Sequence, residues 1–85
     1  MPKQLIINSD DYGRTPDISR GIRTAHLHGV VTSTTCMMNI PTTANDVAIA
    51  VHETPHLGLG VHLVLTMGKP VSPPGSVQSI LDAND

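Results

Sequence analysis

Three short apolar segments of the chain are rich in β-branched residues, which is typical of buried strands. The pattern predicts strands over residues 5–8, 30–38 and 57–65. The segment after the first strand, residues 8–13, is polar and contains glycine, and it predicts a loop. Side chains alternate along a strand, so the third strand has an apolar face and a second face formed by Gly58, Gly60 and His62.

A first helix is predicted between the first two strands. Thr15 can cap it, Pro16 suits the first helical position, and Gly29 ends it. Its apolar residues repeat at helical spacing and place Arg20 and Arg23 on the opposite, polar side.

A second helix is predicted between the second and third strands. Residues 41–43 offer an N-cap, and Pro55 ends the helix because the residue before proline avoids the helical conformation. Its apolar face repeats at positions i, i+3, i+4 and i+7, which are Ala44, Val47, Ala48 and Val51.

The resulting order, β-α-β-α-β, predicts an α/β fold with a parallel sheet and right-handed crossovers. Residues 66–85 show no period and carry several glycines and prolines, so they are predicted to be an irregular tail, with a helical turn near residues 77–81. We therefore expect βα units over residues 1–65 and an irregular segment over residues 66–85.

Composition excludes several classes of protein. The chain has 85 residues and a net charge of −2, which excludes a charge-driven nucleic-acid binder. No apolar run approaches the roughly 20 residues that cross a membrane. The single cysteine, Cys36, excludes an intramolecular disulfide framework, and a reducing cytoplasm is the expected location.

The candidate chemistry lies where the predicted strands end, because ligand sites of parallel sheets gather at that edge. Asp10 and Asp11 follow the first strand, and a divalent cation would relieve the repulsion between their carboxylates. One of them can then bind the metal while the other acts as a general base. The alternative is an ordinary surface turn, since Asp and Gly are common turn residues.

His62, near the end of the third strand, is the second candidate. Imidazole is a common metal ligand, and the neighbouring Gly58 and Gly60 leave space on that face. The alternative is a core histidine that is hydrogen-bonded to a backbone carbonyl.

Four segments of the sequence together resemble the YdjC-like (ChbG-type) family of carbohydrate deacetylases. The resemblance runs in order over residues 5–13, 29–35, 58–66 and 68–72. It implies a (β/α) barrel-like deacetylase fold, of which this chain would be an incomplete, N-terminal portion. Three strands cannot close a barrel, which takes about 200 residues or more.

The resemblance also implies an activity and a set of site residues. Family members remove acetyl groups from N-acetylated sugars, such as chitooligosaccharides, with a divalent metal that is usually magnesium; zinc is the alternative. The resemblance gives Asp11 and His62 as metal ligands and Asp10 as the general base, although the roles of the two aspartates can be exchanged. The family's second metal histidine belongs to a later block that these residues do not include.

Other interpretations stay open at this point. A chain that lacks the later catalytic residues is expected to be inactive, or to be a non-catalytic remnant that binds a partner or a metal weakly; a homo-oligomer is also open. A receiver-like phosphoacceptor domain has an acidic pair after its first strand, but it needs an aspartate at the end of the third, where this sequence has residues 62–66 without one.

Overall fold

A computed structural model of the chain describes residues 2–82 and shows an α/β arrangement. The strands are β1 (Asn8–Tyr12), β2 (Ser33–Cys36) and β3 (Gly58–Val61), and the helices are α1 (Pro16–His28) and α2 (Thr43–Glu53). The strands form a parallel sheet in the order β1-β2-β3. The predicted β-α-β-α-β order and parallel sheet are confirmed.

The predicted position of the first strand is wrong. β1 covers the polar residues Asn8–Tyr12, which were expected to form a loop, whereas Leu5 and Ile6 are 77% and 78% exposed. Polar side chains hold this strand to β2, as when the hydroxyl of Ser33 donates to Oδ1 of Asn8 at 2.8 Å. The second and third strands are also shorter than the apolar runs predicted.

Helix α1 begins and ends where the sequence predicts. The hydroxyl of Thr15 accepts a hydrogen bond from the Ile18 N–H at 3.1 Å, and Gly29 follows the last turn. The prediction for Arg23 is wrong, because this side chain is buried rather than solvated. Its guanidinium donates to the hydroxyl of Tyr12 at 2.9 Å, and this partner draws it inward.

Helix α2 has its predicted extent but a different buried face. Of the predicted apolar face, only Val47 packs against the core, and Ala44, Ala48 and Val51 are exposed. The buried residues are Thr43, Asp46 and Ala50. The hydroxyl of Thr43 donates to the Met37 carbonyl at 2.6 Å instead of capping the helix. Hydrogen bonds made by polar residues therefore set the rotation of α2, and the hydrophobic period does not.

The two faces of the sheet differ. Tyr12, Ile22, Cys36, Ala50 and Leu57 form a core between the sheet and both helices. In β2, Thr34 and Cys36 are buried on this side of the sheet. Ser33 and Thr35 lie on the other face, where they pair with Gly58 and Gly60 of β3. One face is thus the hydrophobic core, and the other is polar and open.

The segment after β3 has little regular structure. Within it, 3₁₀ turns cover Pro74–Ser76 and Gln78–Ile80, the second of which falls in the predicted helical turn. Residues 83–85 of the predicted tail lie outside the described residues. Between residues 2 and 82, no helix combines the length and the apolar character needed to cross a membrane.

Candidate metal centre at the carboxyl end of the sheet

A β-bulge in β1 carries the two adjacent aspartates. Ser9 pairs with Thr34 and Tyr12 pairs with Cys36, so Asp10 and Asp11 together lie opposite Thr35 alone. Asp11 has a φ of 72°, a left-handed conformation that few residues other than glycine adopt. Bulges of this kind re-aim side chains and are frequent beside active sites. The surface-turn alternative is wrong, because both aspartates belong to a strand.

Gly13 is required immediately after the bulge. Its φ is +93°, and a Cβ at this position would overlap the hydroxyl of Thr43. The Gly13 N–H donates to the hydroxyl of Ser19 at 2.9 Å. The chain can therefore leave the bulge and enter α1 only with a residue that has no side chain.

The structure brings Asp11 and His62 together. Oδ1 of Asp11 lies 3.4 Å from Nδ1 of His62, and the Asp11 N–H donates to the same nitrogen at 3.4 Å. The backbone N–H of His62 donates to the Cys36 carbonyl at 2.9 Å. This hydrogen bond extends the backbone pairing of β2 with β3 by one residue and fixes the backbone position from which the imidazole projects. On the other side of Asp11, Nη1 of Arg14 lies 3.6 Å from Oδ2.

This pair suits a divalent cation by distance and by chemistry. Two ligands at about 2.1 Å from one ion lie about 3.0–3.4 Å apart in octahedral or tetrahedral geometry, and the observed separation of Oδ1 and Nδ1 is 3.4 Å. Since Nδ1 has one lone pair, an ion bound to it would replace the long 3.4 Å contact from the Asp11 N–H. Both side chains are partly open, with 37% and 27% of their surfaces exposed, so further ligands can approach. Within residues 2–82, however, no group of three or more His, Cys, Asp or Glu residues could hold a metal ion.

Asp10 lies on the polar face and is held by two donors. Nδ2 of Asn8 and the hydroxyl of Thr35 each donate to Oδ1 of Asp10 at 3.1 Å. Among residues 2–82, no donor is hydrogen-bonded to the second carboxylate oxygen, Oδ2, and Asp10 is exposed. No role was predicted for Asn8, and Thr35 was interpreted only as a strand residue, so neither contact with Asp10 was expected from the sequence.

The structure does not support the core-histidine alternative for His62. Among the described residues, the polar contacts of its imidazole are with Asp11, and none is with a backbone carbonyl. The metal and base assignments themselves stay predictions.

A buried polar network on the helix side of the sheet joins β1, α1 and α2, and the sequence did not predict it. The hydroxyl of Ser19 donates to Oδ2 of Asp46 at 2.9 Å, and the Tyr12 hydroxyl donates to the Asp46 carbonyl oxygen at 2.5 Å. Burial raises the pKa of Tyr12, and the neighbouring Arg23 opposes part of that rise. Arg23 was predicted to lie on the polar side of α1 and no role was predicted for Asp46, because their partners are far away along the chain.

A separate cavity of about 220 Å³ lies between Asn39 and the segment that follows β3. Nδ2 of Asn39 donates to the Met67 carbonyl at 2.6 Å, and a Cβ at Gly68 would lie 2.9 Å from that nitrogen. The lining of the cavity includes none of Asp10, Asp11 and His62. The position of the cavity therefore gives no reason to include it in the candidate metal centre.

The family model for YdjC-like proteins matches residues 4–85, which is nearly the whole chain. This chain belongs to the YdjC-like family. The resemblance seen in the sequence is thereby confirmed.

The chain is also similar to proteins that are named deacetylases. The YdjC-like chain is 45% identical over 82 residues to the carbohydrate deacetylase of Enterococcus faecalis strain V583, covering 94% of this chain and 31% of the relative. It is 44% identical over 73 residues to the chitooligosaccharide deacetylase of Proteus mirabilis strain HI4320, covering 86% of this chain and 28% of the relative.

A crystal structure from Enterococcus faecalis V583, of a candidate cellobiose-phosphate cleavage protein, has the same fold over this region. The TM-score is 0.93 at 43% identity, and the match covers 99% of this chain and 33% of that one. The YdjC-like chain thus spans about a third of the length of the relatives it matches.

Proposed function

We propose that this YdjC-like chain carries the first part of a metal-dependent deacetylase that acts on N-acetylated sugars. The main supporting observation is that Oδ1 of the Asp11 carboxylate lies 3.4 Å from Nδ1 of the His62 imidazole. Asp11 belongs to the β1 bulge that also carries Asp10. The names of the Enterococcus and Proteus relatives point to the same reaction and to a chitooligosaccharide-type substrate.

In this proposal Asp11 and His62 hold the divalent cation, with magnesium favoured and zinc as the alternative. A cation bound there supplies Lewis acidity toward the acetyl carbonyl. Two protein ligands hold such an ion weakly, so we expect these 85 residues alone to bind it poorly and to show no turnover.

Asp10 acts as the general base. Its carboxylate takes a proton from the attacking water as the water oxygen bonds to the acetyl carbon. The proton then passes to the amide nitrogen as the C–N bond breaks, and the products are acetate and the free amino sugar. The receiver-like alternative has no support, because β3 ends at Val61 and is followed by His62 where that class needs an aspartate.

The test uses a chimera in which residues 4–85 of this chain replace the matching segment of the Enterococcus faecalis carbohydrate deacetylase. Acetate release from an N-acetylated chitooligosaccharide is measured with added Mg²⁺ or Zn²⁺, and metal affinity is measured by calorimetry. Asp11→Asn and His62→Ala should lower both activity and metal affinity, whereas Asp10→Asn should abolish turnover and leave metal affinity within about twofold.

Asp17→Asn is the matched control, because Asp17 is an 86% exposed carboxylate on α1 that pairs with Arg20. It should change neither quantity. An active Asp10→Asn chimera would contradict the base assignment, and loss of metal affinity in that variant would exchange the roles of Asp10 and Asp11. Full affinity in Asp11→Asn would overturn the metal site.

A further inference from the structure

The carboxylate of Asp10 is restrained on one side only. Both of its recorded donors, Nδ2 of Asn8 and the hydroxyl of Thr35, bind Oδ1 at 3.1 Å. Asn8 and Thr35 approach from different strands, β1 and β2, so together they limit rotation of the carboxylate about its terminal bond. Oδ2 is then the oxygen left to act on another molecule.

A third residue holds the Asn8 amide in this orientation. Because the Asp10 carboxylate can only accept, Asn8 must turn Nδ2 toward it. The amide oxygen, Oδ1, then faces Ser33, whose hydroxyl donates to it at 2.8 Å and restrains the amide from its other end. Asn8 pairs with Ser33 in the strand register, which places the two side chains next to each other.

We propose that Asn8, Thr35 and Ser33 are positioning residues for Asp10, and that they orient it so that Oδ2 receives the proton of the attacking water. The proposal rests on the proposed function of Asp10 as general base. It extends that function because it names the oxygen that reacts and the residues that aim it. Hydrogen-bond partners that orient metal ligands are worth about 10–100-fold in metal affinity or activity, and we expect a loss at the lower end of that range for partners that orient a base.

Substitutions at Thr35 in the chimera provide the main test. Thr35→Val keeps the shape and removes the donor, and it should lower kcat about tenfold while KM and metal affinity stay within about twofold. Thr35→Ser restores the hydroxyl and should recover most of kcat. A residue with only a structural role would give neither the split between kcat and KM nor the rescue.

Thr34→Val is the matched control, one position away on the same strand. The hydroxyl of Thr34 is buried on the helix side and donates to the Ser9 carbonyl at 2.5 Å, away from Asp10. Its loss should lower the urea midpoint and leave kcat unchanged.

A second measurement needs no turnover. In the ¹⁵N spectrum of the 85-residue chain, the side-chain amide of Asn8 should shift in Ser33→Ala and in Asp10→Ala, and it should keep its position in Thr34→Val. Far-UV circular dichroism checks that each variant is folded.

The outcomes separate the two hypotheses. If Asp10→Asn is inactive but Thr35→Val keeps kcat within about twofold, the positioning role is wrong and the base assignment stands. If Thr35→Ser is no better than Thr35→Val, the hydroxyl is not the group that acts. If Asp10→Asn is itself active, the proposed function fails first.

Discussion

At the scale of single residues, Asp11 combines an unfavourable backbone conformation with a carboxylate that we propose as a metal ligand. Its φ of 72° is left-handed, and its carboxylate reaches His62. Strain of this kind persists where the surrounding structure enforces it, and it clusters at functional sites. Here the bulge enforces it, because two residues must fit opposite Thr35.

Substitutions at Asp11 should separate backbone strain from side-chain chemistry. Asp11→Gly should be more stable than Asp11→Ala by about 1–2 kcal/mol, because alanine in the left-handed conformation brings its Cβ close to the following carbonyl. Asp11→Asn should lie near the wild type, because asparagine tolerates this conformation. Urea unfolding of the three variants measures the difference. Equal midpoints for the glycine and alanine variants would show that the bulge relaxes.

At the scale of elements, buried polar contacts join β1, α1 and α2. Ser19 of α1 accepts from the Gly13 N–H and donates to the Asp46 carboxylate of α2, so one hydroxyl links the turn after the bulge to both helices. Both Ser19 and Asp46 are almost completely buried. Each therefore depends on the other for a partner, since water cannot replace it.

Ser19→Ala removes only one oxygen atom, but it should lower the free energy of unfolding by more than that small change in volume suggests. It leaves the Gly13 N–H and one Asp46 oxygen without a recorded partner, and each such loss costs about 1–3 kcal/mol. The control is Thr24→Ala on the exposed side of α1, which should cost well under 1 kcal/mol. Urea unfolding decides between them, and a Ser19→Ala cost as small as that of Thr24→Ala would mean that the network contributes little.

The elements that the sequence predicted best are those with local signals. The start of α1 depends on Thr15 and Pro16, which act on their own helix, and its end depends on Gly29. The alternation along the third strand also predicted correctly that Gly58 and Gly60 share the open face of β3. Both are properties of neighbouring residues, so a single sequence contains them.

The elements that the sequence predicted poorly depend on distant partners. β1 is formed by polar residues because Ser33 and Thr35 of β2 hydrogen-bond to their side chains, 25 positions away. Asp46 turns inward because Ser19, 27 positions earlier, donates to it. Hydrophobic periodicity records neither contact, and it also cannot predict the bulge that brings Asp11 beside His62.

At the scale of the whole molecule, the sheet is packed on one side only. The radius of gyration is 15.1 Å, whereas a compact domain of this length has about 12 Å. On the helix side of the edge strand β3, Leu59 and Val61 are 39% and 67% exposed. The buried hydrophobic core is therefore small, and we expect a low free energy of unfolding.

The pH dependence of that stability should be set in the alkaline range by two buried groups. Burial raises the pKa of the Cys36 thiol above 9.0 and that of the Tyr12 phenol above 10.0. The unfolded chain loses these protons first, so stability is fully present below pH 9 and falls as the pH rises through the raised values. The urea midpoint between pH 7 and 11 measures the decline. Cys36→Ala should remove its earlier part and Tyr12→Phe its later part, and a midpoint independent of pH would contradict both.

The same thiol can report how much the missing packing matters. Cys36 is 2% exposed in the central strand, so a thiol reagent reaches it only when the sheet opens, and the labelling rate follows the population of the open form. In the chimera, the remaining two thirds of the Enterococcus relative are available to cover Leu59 and Val61 of β3. Their exposed fractions, 39% and 67%, together equal about one exposed side chain, whose burial is worth about 1.5–3 kcal/mol, so labelling should be roughly tenfold to a hundredfold slower than in the 85-residue chain. Leu59→Ser should raise the labelling rate of the chimera part of the way toward that of the 85-residue chain. Leu5→Ser is the control, because Leu5 is 77% exposed and lies outside the sheet, and it should change the rate less. Equal labelling rates in the chain and the chimera would show that the rest of the relative does not lower the population of the open form of the sheet.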